Sequence, residues 1–120
     1  MQEVSVIIPN FNGMAYLDGV LAGLECQTVN NFEVILVDNG SSDGSCAFVA
    51  ARYPWVHLIE LPENFGFCKA VNEGIKASRA PYVLLLNNDI EVTENFIEEM
   101  ISAIRRHPKA FSCAARMIQF

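Results

Sequence analysis

The chain has 120 residues, 52% hydrophobic and 18% charged, with eight Lys and Arg against fourteen Asp and Glu, for a formal net charge of −6. That length makes one domain able to bury a real core. The hydrophobic content excludes a disordered chain. The acidic balance opposes nucleic-acid binding, which needs a basic face.

In chain order, Val4-Ser5-Val6-Ile7-Ile8 reads as a buried strand closed by Pro9. Met14, Leu17, Leu21 and Leu24 follow at helical spacing. Phe32 to Val37 is a second strand, and Asp43 to Tyr53 a second helix stopped before Pro54. Val56 to Leu61 is a third strand, less buried because His57 and Glu60 interrupt it. Phe67 to Ser78 is a third helix and Tyr82 to Leu86 a fourth strand. Phe96, Ile97, Met100, Ile101 and Ile104 line one face of a fourth helix beginning near Thr93. Ala110 to Phe120 enters a fifth strand. This alternation predicts an α/β fold, a mostly parallel sheet with helices on both faces. The strands are apolar nearly throughout, as sheets covered on both faces are.

No apolar stretch approaches the roughly 20 residues of a membrane span. Met1-Gln2-Glu3 lacks the positive start of a signal peptide. Cys26, Cys46, Cys68 and Cys113 form no C-x-x-C pair and read as reduced thiols of a cytoplasmic domain. The apolar end, Met117-Ile118-Gln119-Phe120, reads as the truncation of a longer protein.

Ligands of open α/β sheets bind outside the carboxyl ends of the strands. Three polar clusters fall on that edge: Pro9-Asn10-Phe11-Asn12-Gly13, Asp38-Asn39-Gly40-Ser41-Ser42-Asp43-Gly44, and Asn87-Asn88-Asp89. Asp43, taken alone, reads as the cap of the second helix. Asp38 follows an apolar run directly, so its carboxylate stands at the rim of the core and needs donors. Local backbone N–H groups and a ligand's ring N–H are equal readings. Asp89 suits a hard cation, though a lone Asp after a strand is more often a turn residue. G-x-G-x-x-G, G-x-x-x-x-G-K-[ST] and G-x-S-x-G are all absent. A phosphoacceptor receiver would need paired acids where Pro9-Asn10-Phe11 stands. His57 and His107 read as surface or structural residues.

Four segments now occur in order: Val4 to Asn12, Val37 to Ser45, Asn64 to Ile75, and Leu84 to Asp89. Together they resemble the N-terminal half of family 2 of inverting glycosyltransferases, which have the GT-A nucleotide-sugar-binding fold. The third segment is most similar to rhamnosyltransferase-type members. The resemblance implies a single nucleotide-sugar-binding domain over residues 1–120, the N-terminal part of a longer, metal-dependent glycosyltransferase. It places Pro9, Phe11, Asp38 and Asn88 at the nucleotide: Phe11 against the base, Asp38 accepting from it, Asn88 near the ribose. A carboxylate only accepts, which suits the ring N–H of uracil, thymine or guanine and opposes adenine. The implied donors are therefore UDP-, dTDP- or GDP-sugars, and the acceptor is an unidentified sugar or lipid-linked sugar.

Asn87-Asn88-Asp89 takes the family's D-x-D place. Asp89, helped by Asn87, would hold Mg²⁺ or Mn²⁺ on the diphosphate. Asn87 adds no negative charge, so metal affinity without nucleotide should be weak. Asn64, Gly66, Lys69 and Asn72 match the family's third motif and are candidate donor contacts. For Lys69 a solvated helix residue is the favoured reading, for Asn72 a structural role, and for Gly66 a close backbone approach. The family's general base lies beyond Asp89. Nothing here matches it, since Glu91, Glu94, Glu98 and Glu99 read as a solvated face. The catalytic base is expected outside this chain, and membrane association would come from outside it too. The rival expectation is an inactive nucleotide-binding or self-associating fragment, a homo-oligomer joined through apolar positions near Phe111–Phe120.

Overall fold

A computed structural model describes residues 2–110, 112 and 113. The elements run β1 (Val4–Asn10), α1 (Met14–Glu25), β2 (Phe32–Asp38), α2 (Ser45–Arg52), β3 (His57–Glu60), α3 (Phe67–Ala77), β4 (Tyr82–Leu85) and α4 (Phe96–Arg106). Among the described residues the strands form one parallel sheet in the order β3-β2-β1-β4. The α/β alternation expected from the sequence is observed. Most of the expected fifth strand, at residues 111 and 114–120, lies outside the described residues.

Side chains of neighbouring strand residues point to opposite faces. Val4, Val6 and Ile8 of β1 and Val34 and Leu36 of β2 face one way. They pack with Leu17, Val20, Leu21 and Leu24 of α1, Val49 of α2, and Ile97 and Ile101 of α4. Ile7, Ile35 and Val37 face the other way and meet Ala70 of α3. A β-carbon at Gly74 would stand 2.5 Å from the Ile7 Cγ2, so the absent side chain lets α3 settle on the sheet.

Coverage is uneven, which corrects the expectation of strands buried on both faces. Val83 and Leu85 of β4 are 44% and 45% exposed. They pair in register with Ser5 and Ile7, so they lie on the α3 side of the sheet. Helix α3 packs over β1 and β2, and among the described residues the outer strand β4 is left largely bare on that face. β3, at the other edge, has its expected exposed His57 and Glu60.

Two helices start later than their sequence pattern indicates. α2 begins at Ser45 because Gly44, in the left-handed region at φ 86°, is the capping position in place of Asp43. α4 begins at Phe96, after Thr93 Oγ1 has bonded the Asn95 side chain, and Gln27 Oε1 accepts the Ile97 N–H. Among the described residues no helix is long and apolar enough to cross a membrane.

Candidate functional site

Parallel strands bring the ends of β1, β2 and β4 to one edge. The chain winds from β1 to β2 to β3 in one direction and then places β4 on the far side of β1. The crevice between β1 and β4 is thus the switch point where ligands of such sheets bind.

Asn10 stands at that point. It ends β1 in register with Asp38 and is 2% exposed. Its Nδ2 donates to Asp38 Oδ1 at 2.9 Å and to Ser45 Oγ at 3.2 Å. Its Oδ1 accepts from Asn88 Nδ2 at 2.7 Å. One side chain therefore joins all three polar clusters. The sequence reading passed over Asn10. Its signal was an amide ending a strand of buried apolar residues, where an unsatisfied polar group is costly.

Asp38 is 2% exposed. Besides Asn10 it accepts from the Ser41 N–H at 2.8 Å and the Ser41 hydroxyl at 2.6 Å. Burial pushes its pKa up, but the bonds from Ser41 and Asn10 outweigh burial and hold the carboxyl below its usual range. The donors are thus local: the Ser41 N–H and hydroxyl, the Asn10 amide and the Cys46 thiol. A carboxylate has about four acceptor positions, and the one met by the thiol, a weak donor, is the one a stronger donor could take. Cys46 lies alongside. Burial and the carboxylates of Asp38 and Glu60 push its thiol up to about 12, so it stays neutral.

Asp43 is not the capping residue of α2, but its carboxylate still receives the Ser45 N–H at 3.0 Å. Its other oxygen receives the Met14 N–H at 3.0 Å. Bonds from the Ser45 hydroxyl and the Met14 N–H lower its pKa.

Asn39, also missed in the sequence, secures the segment before α3. Its Nδ2 donates to Gly66 O at 3.0 Å and its Oδ1 accepts the Phe65 N–H at 3.2 Å. Gly40 makes that contact close: a β-carbon there would stand 2.6 Å from the Glu63 Cα. Asn64 Oδ1 accepts the Gly66 N–H at 2.8 Å. A β-carbon at Gly66 would meet nothing within 4 Å, so no other part of the protein crowds this position. Its φ of 92° is what requires glycine.

Of the expected site residues, the structure gathers Asp38 and Asn88 directly through Asn10. Phe11 follows at the end of β1, 48% exposed and presenting its ring to solvent, and Pro9 is half-buried. Asn64 and Gly66 are drawn to the same edge through Asn39. Lys69 is turned along its own helix to Glu73 at 2.9 Å, the expected solvated residue. Asn72 is exposed on α3.

Asn87 and Asp89 are exposed beside the half-buried Asn88. Among the described residues there is no group of three or more His, Cys, Asp or Glu placed to hold a metal ion. One carboxylate and one amide oxygen fit a cation carried chiefly by substrate phosphates, the usual arrangement for Mg²⁺.

A family model described as Glycosyl transferase family 2 matches residues 5–120. The chain belongs to that family. Glycosyltransferase GlyG of Streptococcus pneumoniae is 30% identical, over 85% of this chain and 35% of its own length. The cholesterol galactosyltransferase of Borreliella burgdorferi is 27% identical, over 98% of this chain and 34% of its own. The chain thus spans about a third of the length of the curated relatives it matches. Among solved structures, S. aureus TarS 1-349 in complex with UDP-GlcNAc superposes with a TM-score of 0.81 at 26% identity, covering 89% of this chain and 32% of TarS 1-349. The Pyrobaculum calidifontis mannosyltransferase in complex with GDP-Man and Mn2+ has a TM-score of 0.79 at 23% identity, over 85% of this chain and 32% of its own, and supports the fold. The α/β fold of this chain is of the GT-A type.

Proposed function

We propose that this chain supplies the donor site of an inverting glycosyltransferase. It would take a nucleotide-diphosphate sugar and leave the acceptor and general base to a region outside the described residues. The observation that carries this reading is the Asn10 junction. It holds a buried, ionised Asp38 close to an exposed aromatic, Phe11, at the carboxyl edge of the sheet. A carboxylate that exchanged the weak Cys46 thiol donor for a ligand's would suit the ring N–H of uracil, thymine or guanine. Phe11 offers a ring face for stacking. The TarS complex with UDP supports the same class of donor. The likeness of Asn64 to Ile75 to rhamnosyltransferase-type members makes a deoxyhexose one sugar to test.

Asp89 and Asn87 would hold Mg²⁺ or Mn²⁺ against the diphosphate. The cation would neutralise charge on the leaving group. With eight Lys and Arg in the chain and Lys69 paired to Glu73, a cation is the better counter-charge. Calorimetric titration with UDP, dTDP, GDP and ADP, with and without Mn²⁺, tests the site. Metal-dependent binding of one of the first three, absent for ADP and lost in Asp38→Ala and Asp89→Ala, is the expected result. Binding of none, or binding indifferent to both substitutions, refutes the assignment.

A second reading rests on Val83 and Leu85. They present an apolar strip on a strand that, among the described residues, has no partner on its outer side, the surface of a self-associating fragment. Sedimentation would then show dimers that Leu85→Lys dissociates; a monomer at all concentrations refutes it.

A further inference from the structure

We infer that Asn10 is a positioning residue that sets the direction of the Asn88 amide, so that Asn88 Oδ1 meets the donor's ribose as a hydrogen-bond acceptor. This rests on the nucleotide-site reading and adds a polarity to it.

The direction follows from a chain of obligate choices. A carboxylate can only accept. Asp38 therefore requires the NH₂ side of the Asn10 amide, and receives it at 2.9 Å. The Ser45 hydroxyl spends its proton on Asp43 and is left to accept from the same NH₂ group at 3.2 Å. Both N–H bonds of Asn10 are then committed, and its oxygen faces the opposite way. That oxygen can only accept, so Asn88 must offer Nδ2, and does so at 2.7 Å. The Oδ1 of Asn88 is left as the atom turned from Asn10. The half-buried Asn88 thus presents an acceptor at the switch point and no freely rotating amide.

Room for the pair is built in. A β-carbon at position 13 would collide with Asn88 Nδ2 and with Asn10 Oδ1, so Gly13 holds open the space they occupy. A ribose hydroxyl, which can donate, is the group such an acceptor recognises.

The test compares UDP and GDP with their 2′,3′-dideoxy counterparts, and dTDP, whose sugar carries only a 3′-hydroxyl, with its 3′-deoxy counterpart, by calorimetry on the full chain with Mn²⁺. The wild type should prefer the hydroxylated form of its nucleotide by about tenfold, the worth of one hydrogen bond. Asn10→Leu, which can neither donate nor accept, should bring that ratio to within about twofold of unity. Asn88→Ala should do the same. Weakening through Asp38 alone would lower both affinities equally and leave the ratio intact. Should Asn10→Leu fail to fold, Asn10→Ser, too short to reach Asn88, carries the same expectation. A folded Asn10 variant with the wild-type ratio overturns the inference. Equal wild-type affinity for both forms also overturns it, while the nucleotide-site reading stands. Binding of no nucleotide overturns that reading and the inference with it.

Discussion

Asp43 closes the N-terminus of α1 from the loop that precedes α2: its Oδ2 accepts the Met14 N–H at 3.0 Å. Its Oδ1 accepts the Ser45 N–H at 3.0 Å, the first residue of α2. One carboxylate thus stabilises the positive ends of two helix dipoles. Under the proposed donor-site reading, a diphosphate's charge would then be met elsewhere than at these two helix ends. Asp43→Ala should lower the melting temperature by several degrees, with Asp43→Asn intermediate because one oxygen survives. Thermal unfolding followed by circular dichroism decides it; an unchanged midpoint in Asp43→Ala would show that the bridge contributes nothing.

Asp38 and Asp43 both have pKa values lowered from 3.8. A carboxyl whose folded pKa is depressed contributes stability that is complete above its unfolded value. That contribution is lost as the pH falls through the folded value. The melting temperature should therefore hold near neutrality and fall below about pH 4. Asp38→Asn should cost about 1–3 kcal/mol at neutral pH, because an amide in that buried place turns a donor toward the donors of Ser41 and Asn10. It should also flatten the acid limb. An acid limb as steep as the wild type's would place the acid-sensitive group elsewhere.

The alternation of strand and helix was legible because apolar period changes cleanly between 2 and 3.6, as at Val4–Ile8 against Leu17, Leu21 and Leu24. Asp38 was legible as a carboxylate at the core's rim. Asn10 and Asn39 were not, since an asparagine in a turn-rich segment has an ordinary local explanation. Their roles depend on which strands lie side by side, and the order β3-β2-β1-β4 is not a local property. The bare face of β4 was hidden for the same reason: Val83 and Leu85 look like core residues until the reach of α3 is known.

Gly74 and Gly19 should respond oppositely to alanine. A β-carbon at 74 meets Ile7 Cγ2 at 2.5 Å and Val37 Cγ2 at 3.2 Å, both on side chains locked in the core. Overpacking of this kind costs about 1–3 kcal/mol, more than the roughly 1 kcal/mol of helix propensity gained. At 19 the nearest atom is the Glu91 side-chain oxygen at 3.5 Å, an ordinary contact with a mobile end. Gly19→Ala should raise stability by about 0.5–1 kcal/mol. Urea denaturation of both variants measures the difference; a stabilised Gly74→Ala would mean α3 sits farther from the sheet.

Asn87 sets how far metal binding depends on nucleotide under the proposed donor-site reading. Asn87 and Asp89 are exposed, and between them they carry one negative charge. A divalent cation held so weakly by protein must draw its remaining ligands from the diphosphate. Asn87→Asp adds a second charge at the same place without changing side-chain size. The attraction between a cation and an added carboxylate in a surface site is enough for roughly a tenfold gain in affinity. Mn²⁺ binding to the free chain should therefore tighten about tenfold in Asn87→Asp and fall away in Asp89→Ala. Titration followed by Mn²⁺ electron paramagnetic resonance reads the free ion directly. If Asn87→Asp leaves Mn²⁺ affinity unchanged, the cation does not sit between these two side chains, and the metal assignment moves away from the end of β4.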